Sequence, residues 1–156
     1  MLRQLDGLPL QFCAEKTMSL EMHVFLDKRR VPDRGSWQAA VDSLGLPLQL
    51  NPDLDPTHDT GFSPSEISGL KSGFEIYSEP ADTSLQHRAA LAENVGNRDW
   101  CISFRWGGDM KECACVLVAS AALVKLCDAV AYYPDDDLTY DLNGLIQEAK
   151  SALTRC

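Results

Sequence analysis

The stretch from Cys113 to Val124 is apolar at almost every position and is bounded by Glu112 and Lys125. It is too short to span a bilayer, which requires about 20 apolar residues. A helix that is apolar nearly all round is normally buried among other elements of the fold. Asp109 and Glu112 form a pattern typical of a capping box, so we expect this helix to begin there and to run to about Cys127. The rest of the chain must therefore supply a sheet and further helices that enclose it.

Alternating apolar and polar side chains predict the strands of that sheet. The clearest alternation runs from Trp100 to Trp106, where the even-numbered positions share one face and the odd-numbered positions share the other. The segments Leu20 to Asp27 and Gly73 to Glu79 show the same period. Shorter strands are predicted over 46–50 and 129–133, and Pro47 favours an edge position for the first of these.

Helical periodicity predicts three more helices, one from a Ser36 cap to Leu44, one from Thr83 to Val95 and one from Leu142 to Leu153. Residues 51–72 contain three prolines and two glycines and are predicted to be a long connection. The element order predicts a two-layer α+β sandwich with a mixed or antiparallel sheet of about five strands, helices mostly on one face and one buried Ala/Cys-rich helix. We assign residues 1–17 to an N-terminal extension and 18–156 to a single domain.

The charge balance narrows the classes of partner. The chain has a net charge of −9, and its 14 Lys and Arg residues are scattered rather than clustered. A nucleic-acid-binding surface needs a basic patch, so a nucleic-acid partner is not expected. An acidic surface aids solubility and also attracts basic partners. The first residues show no apolar export signal, which predicts a cytoplasmic protein without a membrane segment.

The six cysteines and three histidines form no metal or redox motif. Cys113 and Cys115 are one residue apart, which is not the spacing of a zinc or redox pair, and no disulfide is expected in a cytoplasmic protein. The runs that begin at Asp53 and Asp135 lack the glycine and glutamate of a calcium-binding loop. No phosphate-binding glycine motif occurs either. We therefore expect no metal, no cofactor and no catalytic residue, although an enzyme whose site is assembled from distant residues remains an alternative.

Two groups of residues are candidates for binding. The carboxylates of two predicted loops form a candidate surface for a protein partner; they are Asp53, Asp55, Asp59, Asp135, Asp136 and Asp137. The second group projects from the polar faces of two predicted strands. If those strands are neighbours, Arg105 can pair with Glu75 or Glu79, and together with Tyr77 these residues can line a ligand site on an uncovered sheet face.

The segments Ser72 to Tyr77 and Ser103 to Asp109, with the Cys/Ala-rich helix that follows, resemble a group of small acidic bacterial α/β proteins to which we can attach no activity. Small acidic α/β proteins with long loops are also similar, at the level of class, to immunity proteins that neutralise bacterial toxins. The resulting hypothesis is a non-enzymatic protein-binding module, with a basic toxin as one class of partner. The alternative is a small-molecule-binding or enzymatic domain with its site on the open sheet face.

Overall fold

The computed structural model describes residues 19–156, so the predicted extension over residues 1–17 lies outside the described residues. Within 19–156, seven strands form one sheet in the order β2-β3-β4-β5-β1-β6-β7, and all neighbouring strands are antiparallel. The strands are β1 (Leu20–Leu26), β2 (Leu48–Gln49), β3 (Gly61–Ile67), β4 (Leu70–Pro80), β5 (Trp100–Trp106), β6 (Val130–Tyr133) and β7 (Leu138–Tyr140). The helices are α1 (Arg34–Ser43), α2 (Ala81–Leu85), α3 (Ala89–Val95), α4 (Met110–Cys127) and α5 (Leu142–Leu153).

The predicted buried helix is confirmed as α4, which lies against one face of the sheet with α1 and α5 beside it. Asp109 caps α4 by accepting hydrogen bonds from the backbone N–H groups of Lys111 and Glu112. The core between α4 and the sheet is apolar, and a buried hydrogen bond from Trp37 Nε1 to the Ala119 carbonyl oxygen, 3.1 Å long, fixes α1 on α4. This face of the sheet is therefore covered mainly by α1, α4 and α5.

The second face of the sheet is covered only at one end. The short helices α2 and α3 bury a small apolar cluster there, which consists of Phe25, Ala81, Leu91, Val95, Cys101 and Tyr132. Towards the opposite end of β1, β4 and β5 the outward side chains become polar and half-buried. The fold thus leaves part of one sheet face without helices from the described chain.

The α+β class is confirmed, but the sheet has more strands than expected. Residues 51–72 are not one long connection, because β3 and the start of β4 form a hairpin closed by Ser68 and Gly69. Both turn residues have positive φ, as a type I′ hairpin turn requires. The short strand β7 was also not predicted. These additions extend the sheet at both edges.

Two helix predictions need correction. Asp33 rather than Ser36 caps α1, and the Asp33 carboxylate accepts the Ser36 N–H at 2.7 Å. The helix predicted over residues 83–95 is split into α2 and α3, because His87 between them has a left-handed φ of 64°. No helix among residues 19–156 has the length and apolar character needed to cross a bilayer.

Candidate functional site

The uncovered part of the second sheet face carries a row of polar and aromatic side chains from four neighbouring strands. Arg105 on β5 lies between Glu21 on β1 and Glu75 on β4, and Ser103 lies between His23 and Tyr77. Phe62 on β3 lies opposite Glu75 and borders the row. We call this surface the open face; it consists of Glu21, His23, Phe62, Glu75, Tyr77, Ser103 and Arg105.

A connected set of contacts joins the charged members of the open face. Arg105 lies next to Glu75, as alternation predicted, but its ion pair is with Glu21, at 3.5 Å between Nη2 and Oε2. The other Glu21 oxygen lies 2.9 Å from His23 Nε2. Tyr77 donates its hydroxyl hydrogen to Glu75, and the Arg105 guanidinium lies 5.5 Å from the centre of the Tyr77 ring. The structure therefore brings Glu75, Tyr77 and Arg105 together.

These contacts engage the two titratable rings of the open face, Tyr77 and His23. The hydrogen bond to the Glu75 carboxylate raises the pKa of Tyr77, so its hydroxyl keeps its proton at neutral pH. One ring nitrogen of His23 is engaged by Glu21, and the other is buried without a hydrogen-bond partner among residues 19–156. Both rings are therefore already engaged by carboxylates of the open face.

Phe62 is the most exposed large apolar side chain among the described residues, with 62% of its surface accessible. Its ring lies over Gly73 on β4. A Cβ at position 73 would lie 2.6 Å from Phe62 Cζ and 2.6 Å from the Ser63 carbonyl oxygen, so only glycine leaves room for the ring. Phe62 is consequently held close to the sheet while its outer surface faces solvent.

The two acidic loops lie at different places on the fold. Asp53, Asp55 and Asp59 precede β3 near one edge of the sheet, whereas Asp135, Asp136 and Asp137 connect β6 to β7 at the other edge. Pro56 in the first loop accepts a hydrogen bond from Ser78 on β4, whereas residues 134–136 contact β1. The two loops therefore pack against different strands of the sheet.

Several of the loop carboxylates hold their own loops in shape. Asp55 accepts the Thr57 N–H and contacts His58 Nδ1 at 3.0 Å, and this hydrogen bond to His58 is the main cause of its lowered pKa. Asp59 accepts the Asp55 N–H at 2.9 Å. Asp137 accepts the Tyr132 hydroxyl at 2.8 Å. These groups contribute to turn geometry in the absence of any partner.

Sequence reasoning missed a cavity of about 730 Å³ beside β3, at the point where the short strand β2 stops. We call it the β3-edge cleft. Its walls come from the start of α1, residues 49–52, the β3–β4 hairpin and the start of α4. Its lining residues are Arg34, Gln49, Leu50, Asn51, Pro52, Phe62, Pro64, Ser65, Glu66, Lys71, Ser72 and Glu112. The only signal in the sequence was the high content of proline and glycine over 51–72, which indicates a segment outside regular helix.

Two further cavities, of about 410 and 290 Å³, lie beside α1, and none of the three cavities is lined by Glu75, Tyr77 or Arg105. Among residues 19–156, no three His, Cys, Asp or Glu side chains are arranged to hold a metal ion.

Burial raises the pKa of Cys101 to about 12 and also raises the pKa values of Cys115 and Cys127. Cys113 forms a disulfide, so the expectation that no disulfide occurs is wrong at that residue.

Comparison with known proteins finds no matching family model, no matching curated protein and no matching solved structure.

Proposed function

We propose that this chain is a non-enzymatic protein-binding module whose open face contacts a basic partner protein. The observation that carries the proposal is the exposure of Phe62. An aromatic ring that is seated over a glycine and 62% exposed presents a rigid apolar surface to solvent. Binding through such a ring orders few additional rotatable bonds, so little entropy is lost when a partner covers it.

The neighbours of Phe62 support the same function. Tyr77 and Arg105 lie on the same face, and Tyr and Arg are enriched among the residues that dominate protein–protein binding energies. Their contacts with Glu75 and Glu21 fix their orientations before a partner arrives. The open face therefore combines an apolar anchor with polar groups that are already ordered.

The charge of the chain indicates the chemistry of the partner. The net charge of −9 attracts basic proteins and repels acidic ones. An immunity protein that neutralises a basic toxin is one member of this functional class. The assignment as non-enzymatic is supported by the burial of Cys101, Cys115 and Cys127, whose raised pKa values disfavour a thiolate nucleophile.

A small-molecule site on the open face is the alternative. Such sites are concave and bury most of their ligand. The 730 Å³ cavity lies beside the open face, at the edge of β3, rather than over Glu75, Tyr77 and Arg105. The protein-binding function therefore fits the open face better than the alternative does.

The test is affinity purification from the source organism, followed by binding measurements with the purified partner. Phe62→Ala and Tyr77→Ala should each weaken binding by about tenfold or more, because Phe62 is the exposed apolar anchor and Tyr77 is an ordered aromatic contact of the same surface. Leu70→Ala is the matched control, since Leu70 is 51% exposed on the same hairpin but lies opposite Ile67, beyond the open face. Its affinity should equal that of the natural sequence.

The partner's charge provides a second readout. Its association rate should fall as NaCl is raised, because salt screens the attraction between the acidic chain and a basic partner. Failure to recover a stoichiometric basic protein under gentle conditions would contradict the proposal. So would a partner whose affinity is unchanged in Phe62→Ala and Tyr77→Ala, or reduced equally in Leu70→Ala.

A further inference from the structure

The β3-edge cleft contains a positive charge that the described fold does not neutralise. The Arg34 guanidinium is half-buried and is held by neutral acceptors: the carbonyl oxygens of Leu50 at 2.8 Å and Asn51 at 3.3 Å, and Gln38 Oε1 at 3.4 Å. No carboxylate of residues 19–156 forms an ion pair with it. Its Nε–H and both Nη2 hydrogens are engaged by these acceptors, whereas Nη1 has no hydrogen-bond partner among residues 19–156. A partly desolvated cation favours an anionic ligand, and Nη1 can donate to a ligand carboxylate.

Arg34 is also held in a fixed position. Gln38 is buried and makes four hydrogen bonds, one of them accepted from Arg34 and the others linking it to Asp42, Leu48 and Leu50. The guanidinium is thereby fixed between α1 and the segment that follows β2. A ligand that uses it does not have to order a flexible side chain, which favours binding.

Negative groups line other parts of the same cleft. Glu112 at the start of α4 has one oxygen engaged by the Gly107 N–H at 3.0 Å. Glu66 lies directly opposite Lys71 across β3 and β4, yet the two form no ion pair in the described structure. The cleft thus offers carboxylates and cations at once, with apolar surface from Leu50, Pro52, Phe62 and Pro64.

We propose that the β3-edge cleft binds a zwitterionic ligand of the amino-acid or short-peptide class. The ligand carboxylate accepts a hydrogen bond from Arg34 Nη1, its ammonium group binds Glu112, and an apolar side chain packs on Phe62 and Pro64. A volume of about 730 Å³ lies within the range of small-molecule sites, roughly 300–1,000 Å³. This site shares Phe62 with the open face but none of its polar contacts, and the inference does not rest on the proposed protein-binding function.

The test titrates leucyl-phenylalanine into the full chain by calorimetry and compares it with the C-terminal amide and the N-acetyl form of the same dipeptide. We expect saturable binding of the free dipeptide. Each capped form should bind about tenfold more weakly or worse, because each loses one charge-assisted contact. Amide signals of Ser65 and Ser72 in ¹H–¹⁵N spectra should shift on binding, because both residues line the cleft.

The variant Arg34→Gln should reduce the affinity for the free dipeptide by about tenfold or more and leave the affinity for the amide form unchanged. Lys125→Gln is the matched control, because Lys125 lines a different cavity, and it should bind all three dipeptides as the natural sequence does. If Arg34→Gln does not fold, the comparison of free and capped dipeptides on the natural sequence still tests whether the ligand carboxylate and ammonium groups are bound. Equal affinities for free and capped forms, shifts confined to other surfaces, or no saturation up to about 10 mM would overturn the proposal.

Discussion

Glu148 on α5 is a carboxyl group whose ionisation opposes folding. Burial raises its pKa from the usual 4.5 to about 7, and the positive charge of Arg155 only partly offsets this effect. Residues 19–156 provide Glu148 with no hydrogen bond or ion pair. Glu148→Gln keeps the size of the side chain and removes the charge. The variant should therefore be more stable than the natural sequence at neutral and alkaline pH.

The magnitude follows from the difference between the folded and unfolded pKa values of Glu148. A rise from 4.5 to about 7 corresponds to at most about 3.4 kcal/mol, at about 1.36 kcal/mol for each pKa unit. Because the side chain is only about half-buried and solvent screens its charge, we expect about 1–2 kcal/mol. Between pH 4.5 and 7 the folded state binds a proton that the unfolded state has released, so this group lowers the free energy of unfolding as pH rises.

Urea unfolding of both proteins between pH 4.5 and pH 8 measures the effect. The variant and the natural sequence should be nearly equally stable at the acidic end, and the variant should gain about 1–2 kcal/mol by pH 8. Gln147→Glu is the matched control, because position 147 is exposed and an added carboxylate there should change stability by less than about 0.5 kcal/mol. A stability difference that stays constant with pH, or a less stable Glu148→Gln at pH 8, would refute the reasoning.

Two further substitutions test the packing around the candidate sites. Gly73→Ala should lower the free energy of unfolding by about 2 kcal/mol or more, because its methyl group would lie 2.6 Å from the Ser63 carbonyl oxygen at a φ of +153°. Gly35→Ala in α1 has no contact closer than 3.6 Å and should stabilise by up to about 1 kcal/mol in the same urea assay; equal effects would contradict the account. Trp37→Phe should cost about 1–2 kcal/mol because the Ala119 carbonyl loses a buried partner, and an unchanged thermal midpoint would contradict this.

The elements with a clear period and clear caps could be predicted from the sequence. The strand Trp100–Trp106 and the helix Leu142–Leu153 are confirmed at the predicted residues. The break near His87 could not be predicted, because a left-handed φ at a histidine has no strong local signal. Tertiary contacts set that conformation, so periodicity alone suggested one continuous helix.

Strand β3 was missed because Pro64 and several polar residues are typical of a loop. Pairs of residues alternate between hydrogen-bonded and non-hydrogen-bonded along the hairpin, beginning with the hydrogen-bonded pair next to the two-residue turn. Pro64 and Gly73 form the fourth pair, which is not hydrogen-bonded, so the backbone nitrogen of Pro64 points away from β4. A proline there removes no hydrogen bond from the β3–β4 pair, so the strand tolerates it. At this point β2 has already ended, which leaves room for the cleft. The same residue that concealed the strand therefore lies in the wall of the cavity.

The open face was predictable in part. Alternation along β4 and β5 correctly put Glu75, Tyr77 and Arg105 on one side of the sheet. The ion pair between Arg105 and Glu21 depends on β1 lying beside β5, an order that the sequence does not reveal. The β3-edge cleft was harder still to predict from the sequence, because its walls come from four separate segments of the chain. The sequence therefore predicted which side chains share a face of a strand, but not the contacts that depend on the order of the strands in the sheet.

Phe62 can stabilise the β3–β4 hairpin through its inner surface and bind a partner through its outer surface. Covering Gly73 stabilises the hairpin whether or not a partner exists, and an aromatic residue beside a strand glycine is a known stabilising arrangement. The stabilising role needs only the inner surface of the ring. If it is the only role, Phe62→Ala lowers the free energy of unfolding, and the apparent affinity for the partner falls only in proportion to the fraction of folded protein. The binding role needs the outer surface, which stays 62% exposed. Because Leu70→Ala perturbs the same hairpin without altering the open face, affinity per folded molecule in these two variants separates the roles.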